Sequence, residues 1–440
     1  MYNLSLKITS IGDKNTKLIT NVFANIAMIP NRKPVLAVTY LLTAWTCFLV
    51  LIIMQPQILE FETVNAQALN DPNLQLESVF SGFVSPVGMA FLDDTGENIL
   101  VIEKKGTVKL ISNGVLQDTP IKQFDVDFQS ERGLLGIESL RENNGTRIFL
   151  YMTEDDPNFT GDGSGETLRN RVYSFDWDGN NLVNQKLILD LPGTPGPNHN
   201  GGKLTLDKEN NLYAVVGDLN HRTQLQNFEN GGDPDLTGSI FRIDPNTGEA
   251  PPDNPFISSN IPNIDKTFAY GIRNSFGLTV DPITGIIWDT ENGPSISDEI
   301  NIVEPGFNSG WRSIMGPAPS SEEINNLVSI SSNSNYSDPE ISWVDPPAVT
   351  DIEFINSRNF GPDYENNLLV GDHNNGNLYF FKMNNERNGL DIEDNIIDSE
   401  NEMNNYVLGS GFGSITDIEI SPDGNAYIVS LENGNLYRIS

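Results

Sequence analysis

From residue 74 to the C-terminus the chain alternates short apolar runs with turns rich in Gly, Asn, Asp and Pro. These runs have the short length of strands and are bounded by turn residues, and the 3.6-residue period of helices is rare. Six times, an apolar strand that ends near an acidic residue is followed, directly or after an insertion, by a second strand. These six pairs begin at Asn98, Arg147, Asn211, Gly285, Asn367 and Asn425. The pattern predicts an all-β fold built from six repeats.

The repeats start 49 to 82 residues apart, which is typical of a constant four-stranded unit that carries insertions of different length. Six such units form a six-bladed β-propeller. The last repeat stops at the C-terminus, so we expect the strand near Leu74 to Phe80 to complete the final blade and close the ring. A β-sandwich is the alternative all-β fold, but it would not produce six similar strand pairs.

The chain before the repeats divides into a basic leader (1–33), an apolar segment (34–54) and a linker (55–73), ahead of the propeller (74–440). The apolar segment has 21 uncharged residues, enough for a helix to cross a hydrocarbon core of about 30 Å. Positive charges precede it, so we expect a single-pass anchor in the cell membrane with the propeller on the extracytoplasmic side. Cleavage after Ala68, which would release a secreted protein, is the alternative.

The net charge of the chain limits the kinds of partner that it can bind. The first 68 residues carry a net charge of +2, and the remainder therefore carries −36 of the total of −34. Such a surface repels phosphate backbones, so no nucleic-acid partner is expected. The only cysteine, Cys47, lies in the apolar segment, and the propeller has no disulfide to stabilise it.

His199 is the residue with the most suggestive chemistry. It precedes a turn and the strand pair that ends at Asp218, so both residues are expected at one edge of a sheet. A histidine beside a carboxylate can act as a general base, because the carboxylate stabilises the imidazolium. The spacing alone, however, favours a loop histidine that caps a turn.

An acidic residue also closes the first strand of each repeat. If these strand ends share one end of the channel, a few of the acids could converge on Ca²⁺, which takes several oxygen ligands. Acids are also common at turns in so acidic a chain, and this simpler explanation covers most of the six. They are Glu103, Glu154, Asp218, Glu291, Asp372 and Glu432.

Several motifs in a fixed order add a resemblance. They are ERGLLG (131–136), HNGG with GD (199–218), GIRN with GL (271–278), ENGP with DEIN (291–301) and PGFNSGW (305–311). In this order they resemble the glucose/sorbosone dehydrogenase family, over roughly residues 75 to 440. Its best-known members are soluble sugar dehydrogenases that depend on pyrroloquinoline quinone (PQQ) and have six-bladed propellers.

The resemblance implies roles for the residues that would do the chemistry. His199 matches the base that removes the proton of the sugar's anomeric hydroxyl, and Asp218 matches the carboxylate that orients it. Arg273 matches a cation beside the quinone oxygen that becomes negative when hydride arrives, a role that suits a fixed positive charge.

Other positions match the groups that hold the cofactor. The resemblance makes Asn274 a contact of the quinone, and gives Gly293 and Pro294 the backbone carbonyls that hold Ca²⁺. Asn292 stands where a side-chain oxygen serves the cofactor. Glu131 falls where relatives have a polar cofactor contact.

Three positions depart from the family pattern. Cofactor-binding relatives have a basic residue and two arginines that meet the carboxylates of PQQ, where this chain has Asn374, Ser414 and Thr416. Lys382 or Arg387 could supply the missing charge from elsewhere.

The leading hypothesis is a membrane-anchored extracytoplasmic quinoprotein that oxidises an aldose or related alcohol by hydride transfer to PQQ, with Ca²⁺ and an external electron acceptor that the sequence does not identify. One alternative is a non-catalytic propeller that binds glycans or surface proteins. Another is a metal-dependent lactonase, which would need its metal on side chains such as Glu103, Asp218 and Glu291.

Overall fold

A computed structural model describes residues 67–142, 145–157 and 167–440. The basic leader and the apolar segment 34–54 lie outside this range, so the predicted anchor is not part of the described structure. Among the described residues, no helix has the length and apolar character needed to cross a membrane.

The described residues form six sheets. Two short strands come first, β1 (Ala68–Leu69) and β2 (Leu76–Ser81). The first blade contains β3 (Pro86–Phe91), β4 (Ile99–Glu103), β5 (Thr107–Ser112) and β6 (Val115–Leu116), and β7 (Lys122–Gln123) also pairs with β5. The second contains β8 (Leu134–Glu142), β9 (Gly145–Asp155), β10 (Leu168–Trp177) and β11 (Leu182–Pro192). The third contains β12 (Leu204–Leu206), β13 (Leu212–Val216), β14 (Ser239–Ile243) and β15 (Thr267–Tyr270).

The remaining blades follow the same plan. The fourth contains β16 (Ser275–Val280), β17 (Ile287–Glu291), β18 (Asp298–Val303) and β19 (Ile341–Trp343). The fifth contains β20 (Val349–Phe354), β21 (Leu368–Asp372) and β22 (Leu378–Phe381); next in the chain, β23 (Ile396–Ile397) pairs in parallel with β19, and β24 (Val407–Ser410) completes the fifth blade. The sixth contains β25 (Ile415–Ile420), β26 (Ala426–Ser430) and β27 (Asn435–Ile439). The helices among the described residues are α1 (Ser321–Asn325) and α2 (Glu400–Asn404), with 3₁₀ turns at Gln224–Gln226 and Ile264–Lys266.

The first and last parts of the propeller close the ring together. Strand β2 pairs antiparallel with β27, from Leu76 opposite Ile439 to Ser81 opposite Asn435. This pairing supplies the fourth strand of the sixth blade, and the predicted six-bladed propeller and its closing strand are confirmed. Strand β1 adds to the edge of the fifth blade through β24.

Apolar layers between neighbouring blades form the core. Six clusters of buried side chains fill the six interfaces, as in the layer between the fourth and fifth blades, where Trp288, Trp343 and Phe354 are at most 1 % exposed. Strands β4, β13, β17, β21 and β26 are buried at every position, because each lies in the middle of a sheet that is covered on both faces. Such strands read as continuous apolar runs in the sequence.

The strand directions determine where polar groups meet. In each blade the innermost strand leaves one end of the central channel and the antiparallel second strand returns to it. The loop before each innermost strand and the loop after each second strand therefore share that end. We call it the upper end of the channel.

Candidate active site

Loops of three neighbouring blades bring the predicted site residues to the upper end. Glu131 precedes β8, His199 precedes β12, and Arg273 with Asn274 precedes β16. Asp218 follows the end of β13, and Asn292 with Gly293 follows the end of β17. Residues separated by more than 140 positions thus reach one cleft, because the propeller places corresponding strand ends side by side.

His199 and Asp218 are in direct contact. Nδ1 of His199 lies 2.6 Å from Oδ1 of Asp218, and both side chains are less than a tenth exposed. A carboxylate at this distance accepts the Nδ1 proton of a neutral imidazole and leaves Nε2 with its lone pair. This is the arrangement of a general base with its orienting acid.

Backbone contacts fix the position of His199. Its φ angle of 66° is in the left-handed region, and its N–H donates to Oε2 of Glu131 at 2.6 Å. Gly217 lies beneath it, where an added Cβ would be 2.4 Å from the carbonyl oxygen of Arg273 and 2.6 Å from that of His199. Only glycine permits this close approach of the three backbones.

Trp311 is a second partner of Asp218. Its indole N–H donates to Oδ2 at 2.6 Å, while Oδ1 accepts from His199 and from the N–H of Asn220 at 2.8 Å. The carboxylate of Asp218 is therefore bonded at both oxygens. The motif PGFNSGW contains Trp311, but nothing in its spacing pointed to Asp218, which lies 93 positions earlier.

Arg273 places a positive charge beside this group. Its guanidinium lies 5.3 Å from the centre of the Trp311 ring, within the range of a cation–π contact. Nη1 donates to the carbonyl of Asn292 at 2.8 Å and to that of Gly293 at 3.1 Å. Burial lowers the pKa of Arg273, an effect opposed by the carboxylates of Asp218 and Glu291. An arginine still keeps its charge under such conditions.

Two buried carboxylates shape the turn at Gly293. Burial raises the pKa of Glu291 to about 7, although the carboxylate accepts from the Arg273 N–H at 2.7 Å and the Ser309 hydroxyl at 2.6 Å. Burial also raises the pKa of Asp298 to about 6, and its Oδ1 accepts the N–H of Gly293 at 2.9 Å. A Cβ at Gly293 would meet the carbonyl oxygen of Ile296 at 1.8 Å, so the turn requires glycine.

Two buried polar atoms in the same place have no hydrogen-bond partner among the described residues. They are Oδ1 of Asn274 and Nε of Arg273. The amide nitrogen of Asn274 donates to Oε2 of Glu131 at 3.2 Å, the oxygen that also accepts from His199. Buried polar groups are nearly always hydrogen-bonded in folded proteins. These two atoms are therefore suited to a ligand bound next to His199.

Asn292 and Pro294 are placed differently. The N–H of Asn292 donates to the carbonyl of Asn274 at 2.7 Å, and its side-chain nitrogen donates to the carbonyl of Val349 at 2.8 Å. Its side chain thus joins the fourth and fifth blades. Pro294 is exposed.

The acids at the strand ends do not form one shared site. Glu103 is paired with Lys109 at 3.0 Å and Glu154 with Arg171 at 2.8 Å, while Asp372 accepts the hydroxyl of Tyr379 at 2.6 Å. Glu432 is exposed. Within the described part of the chain, no group of three or more His, Cys, Asp or Glu side chains is arranged to hold a metal ion. The side-chain metal site that a lactonase would need is not formed by Glu103, Asp218 and Glu291.

A second charged cluster lies deeper in the channel. Nζ of Lys203 is 2.8 Å from Asp351 and 2.5 Å from Asp417, and 3.8 Å from Glu419. Burial raises the pKa of Glu353 nearby to about 8, an effect that Lys203 opposes and Asp351 reinforces. Lys203 directly precedes β12, Asp351 and Glu353 lie on β20, and Asp417 and Glu419 lie on β25, the innermost strands of three blades. The sequence did not identify this cluster, because its members are scattered over more than 200 positions.

The cleft fits one end of PQQ and not the other. The unpartnered Nε of Arg273 is a donor that suits a quinone oxygen beside His199. At the three positions where relatives carry cations, the side chains are neutral and bonded to the propeller's own backbone. Asn374 donates to the carbonyl of Pro346 at 3.3 Å, Ser414 to that of His373 at 3.2 Å, and Thr416 to that of Pro86 at 3.2 Å.

Comparisons with known proteins identify the family of the chain and agree with its fold. The family model described as "Glucose / Sorbosone dehydrogenase" matches residues 83–438. The uncharacterized protein slr1608 of Synechocystis sp. is 26 % identical over 391 residues, 84 % of this chain and 87 % of that protein. The aldose sugar dehydrogenase YliI of Escherichia coli is 29 % identical over 260 residues, 58 % of this chain and 63 % of that protein.

A solved structure is similar over the whole propeller. The PQQ-bound aldose sugar dehydrogenase of Streptomyces coelicolor superimposes with a TM-score of 0.62 at 20 % identity, covering 85 % of this chain and all of that one. At this identity the likeness shows the fold alone. With a family model that matches most of its length, the chain belongs to the glucose/sorbosone dehydrogenase family.

Proposed function

We propose that this propeller is an oxidoreductase of the sugar dehydrogenase type, which oxidises a hydroxyl group of an aldose or related alcohol in the cleft around His199. The observation that carries the proposal is the contact of His199 with Asp218 at 2.6 Å, beside the guanidinium of Arg273. The named relative from Escherichia coli is an aldose sugar dehydrogenase, which supports the same substrate class.

Each residue has a distinct part in the reaction. With Nδ1 bonded to Asp218, His199 accepts the hydroxyl proton of the substrate at Nε2. The buried carboxylate of Asp218 stabilises the imidazolium that forms. Arg273 stabilises negative charge that develops on the electron acceptor, because its position is fixed by Asn292 and Gly293 before the reaction begins.

The proposal includes an extracytoplasmic location. It is supported by the apolar segment 34–54 and by the Lys and Arg residues that precede it. Cell fractionation followed by protease treatment of intact cells tests it. Digestion of the propeller in intact cells is expected, and full protection would contradict the location.

Reduction of a redox dye by the purified full chain tests the activity. The assay uses a panel of aldoses with Ca²⁺ and either PQQ or an uncharged ortho-quinone. We expect sugar-dependent reduction that falls by a factor of about 10² to 10⁴ in His199→Ala, the usual effect of losing a positioned base. Gln185→Ala, at an exposed position of β11, is the control. Equal activity in both variants would remove the proposed mechanism.

One observation favours a second function, a non-catalytic propeller that binds glycans. It is the neutral character of Asn374, Ser414 and Thr416, where cofactor-binding relatives have cations. A glycan array distinguishes the two functions. Tight glycan binding without any dye reduction would favour the binding propeller.

A further inference from the structure

Acidic residues lie next to the three neutral positions along the chain or accept hydrogen bonds from the neighbouring loop. Asp372, two residues before Asn374, is fully buried, and Asp298 bonds the N–H of Ala348 at 2.7 Å in the neighbouring loop. Asp417 follows Thr416 directly and is 3 % exposed. An anionic group placed at this end of the cleft would meet negative charge and no adjacent cation at the three anchoring positions.

Lys382 and Arg387 lie at the lower end of the channel and cannot reach the three neutral positions. Arg387 is 2.8 Å from Asp281, which directly follows the far end of β16, at the lower end of the channel. Lys382 directly follows β22, a strand that runs from the upper end to the lower end, and it lies 3.8 Å from Asp363. The contacts of Lys382 and Arg387 therefore argue against the possibility that either residue supplies the missing charge.

The positive charge of Lys203 is already balanced by neighbouring carboxylates. Its ammonium group lies within 2.8 Å of both Asp351 and Asp417, which are buried and ionisable. A further anion would have to compete with two carboxylates that are fixed in place by backbone N–H groups, those of Ile418 and Met89, both at 2.7 Å. Lys203 thus offers no spare positive charge to a carboxylate-rich cofactor.

From these contacts we infer that the cleft takes an uncharged planar ortho-quinone in preference to the tricarboxylate PQQ. The inference rests on the proposed function and specifies its electron acceptor. A quinone oxygen can accept from the unpartnered Nε–H of Arg273 and from the second N–H of the Asn274 amide, whose other N–H donates to Glu131. The opposite end offers neutral side chains, which suit an uncharged ring system.

The oxidation of the sugar by the quinone is balanced in electrons and protons. The sugar hydroxyl gives its proton to Nε2 of His199, and the hydrogen on the same carbon leaves with two electrons to the quinone. The sugar carbon gains a C=O double bond. The quinone takes up one further proton and becomes a quinol, so that two electrons and two protons leave the sugar in total.

A pair of ligands that differ only in charge provides the test. The full chain, purified in detergent, is titrated by calorimetry with PQQ and with its uncharged trimethyl ester, each with Ca²⁺ present. We expect the ester to bind at least tenfold more tightly than PQQ. The variant Asn374→Lys with Ser414→Arg and Thr416→Arg should reverse this order, because charge-assisted bonds to carboxylates are then available.

Two further variants keep the test decisive. Asn374→Lys alone changes an exposed side chain, and should strengthen PQQ binding even if the buried position of Ser414 makes the triple variant unfold. A control with Asn180→Lys, Gln117→Arg and Gln185→Arg adds the same charge at exposed positions of the first and second blades. It should leave the preference for the ester unchanged.

The outcomes separate this inference from the proposed function. Tighter binding of PQQ than of its ester by the wild type overturns the inference, and so does the absence of binding by both. If PQQ also supports sugar oxidation that depends on His199, the proposed function stands while the inference fails. If the ester binds and no sugar is oxidised with either ligand, the inferred preference stands and the proposed function fails.

Discussion

Trp311 donates its indole N–H to Oδ2 of Asp218 at 2.6 Å, on the opposite side of the carboxylate from His199. The indole ring also contacts the guanidinium of Arg273. One tryptophan from the insertion after β18 thus touches both the acid that orients the base and the positive charge next to it.

Removal of the indole N–H should weaken this arrangement. In Trp311→Phe an aromatic ring remains beside Arg273, but Oδ2 of Asp218 loses its donor. Hydrogen bonds to charged groups contribute about 1.5 to 3 kcal/mol, so we expect kcat for sugar oxidation to fall about tenfold or more with a smaller change in KM. Steady-state kinetics measures this. Trp177→Phe, at the last residue of β10, is the control and should leave kcat unchanged. Equal kcat in both variants would show that Trp311 does not position Asp218.

Arg273 should oppose binding of Ca²⁺ at the Gly293 carbonyl. The carbonyl accepts Nη1 of Arg273 at 3.1 Å, so a cation placed there meets a neighbouring positive charge. Two unit charges about 4 Å apart repel by roughly 1 kcal/mol in water and about 4 kcal/mol near a protein surface, and the double charge of Ca²⁺ doubles the repulsion. We expect Arg273→Met to bind Ca²⁺ at least about fivefold more tightly than the wild type in calorimetric titration.

Arg312→Met is the matched control for this experiment. Its guanidinium lies 5.9 Å from the centre of the same Trp311 ring, but it is exposed. Ca²⁺ affinity should be unchanged in this variant. A Ca²⁺ affinity in Arg273→Met that equals the wild-type value would contradict the expected competition.

Glu353 should make the propeller less stable as the pH rises. Its pKa is raised from 4.5 to about 8 in the folded protein by burial. Between these two values the folded state holds a proton that the unfolded state has lost, so the free energy of unfolding decreases as pH rises through this window. Glu353→Gln removes the proton linkage and can keep the acceptor for Thr279 Oγ1, which is 3.0 Å away.

Thermal unfolding at two pH values checks this. At pH 8.5 we expect Glu353→Gln to raise Tm by at least about 2 °C, and at pH 5 the difference from the wild type should be much smaller. Glu386→Gln, an exposed position, should show no difference at either pH. A gain for Glu353→Gln that is the same at both pH values would rule out the role of the proton.

Two truncations distinguish the role of the N-terminal leader from that of the closing strand β2. Deletion of residues 1–66 should leave a folded propeller with a β-type circular dichroism spectrum, because β1 and all six blades remain. Deletion of residues 1–82 also removes β2 and exposes the edge of β27 along its whole length. We expect this longer deletion to aggregate, since an unpaired edge strand pairs with other chains. Size-exclusion chromatography distinguishes the two results, and a monomeric product from the longer deletion would contradict the role of β2.

The repeat pattern was readable from the sequence because strands buried on both faces, such as β4, β13 and β26, produce continuous apolar runs. The closing strand could also be predicted, because a ring whose last repeat ends at the C-terminus needs its missing strand from elsewhere. The proximity of His199 to Asp218 followed from the single strand pair that separates them. All of these features depend on neighbours along the chain or on one repeated unit.

Contacts between blades were decided only by the tertiary structure. The bond of Trp311 to Asp218, the compensation of Lys203 by Asp351 and Asp417, and the position of Arg387 at the lower end depend on where loops of different blades end. No periodicity encodes such contacts, because insertions of unequal length separate the residues that meet. The sequence by itself determined six blades and the proximity of His199 to Asp218, whereas the charge balance around the cleft depends on contacts between blades that only the closed ring brings together.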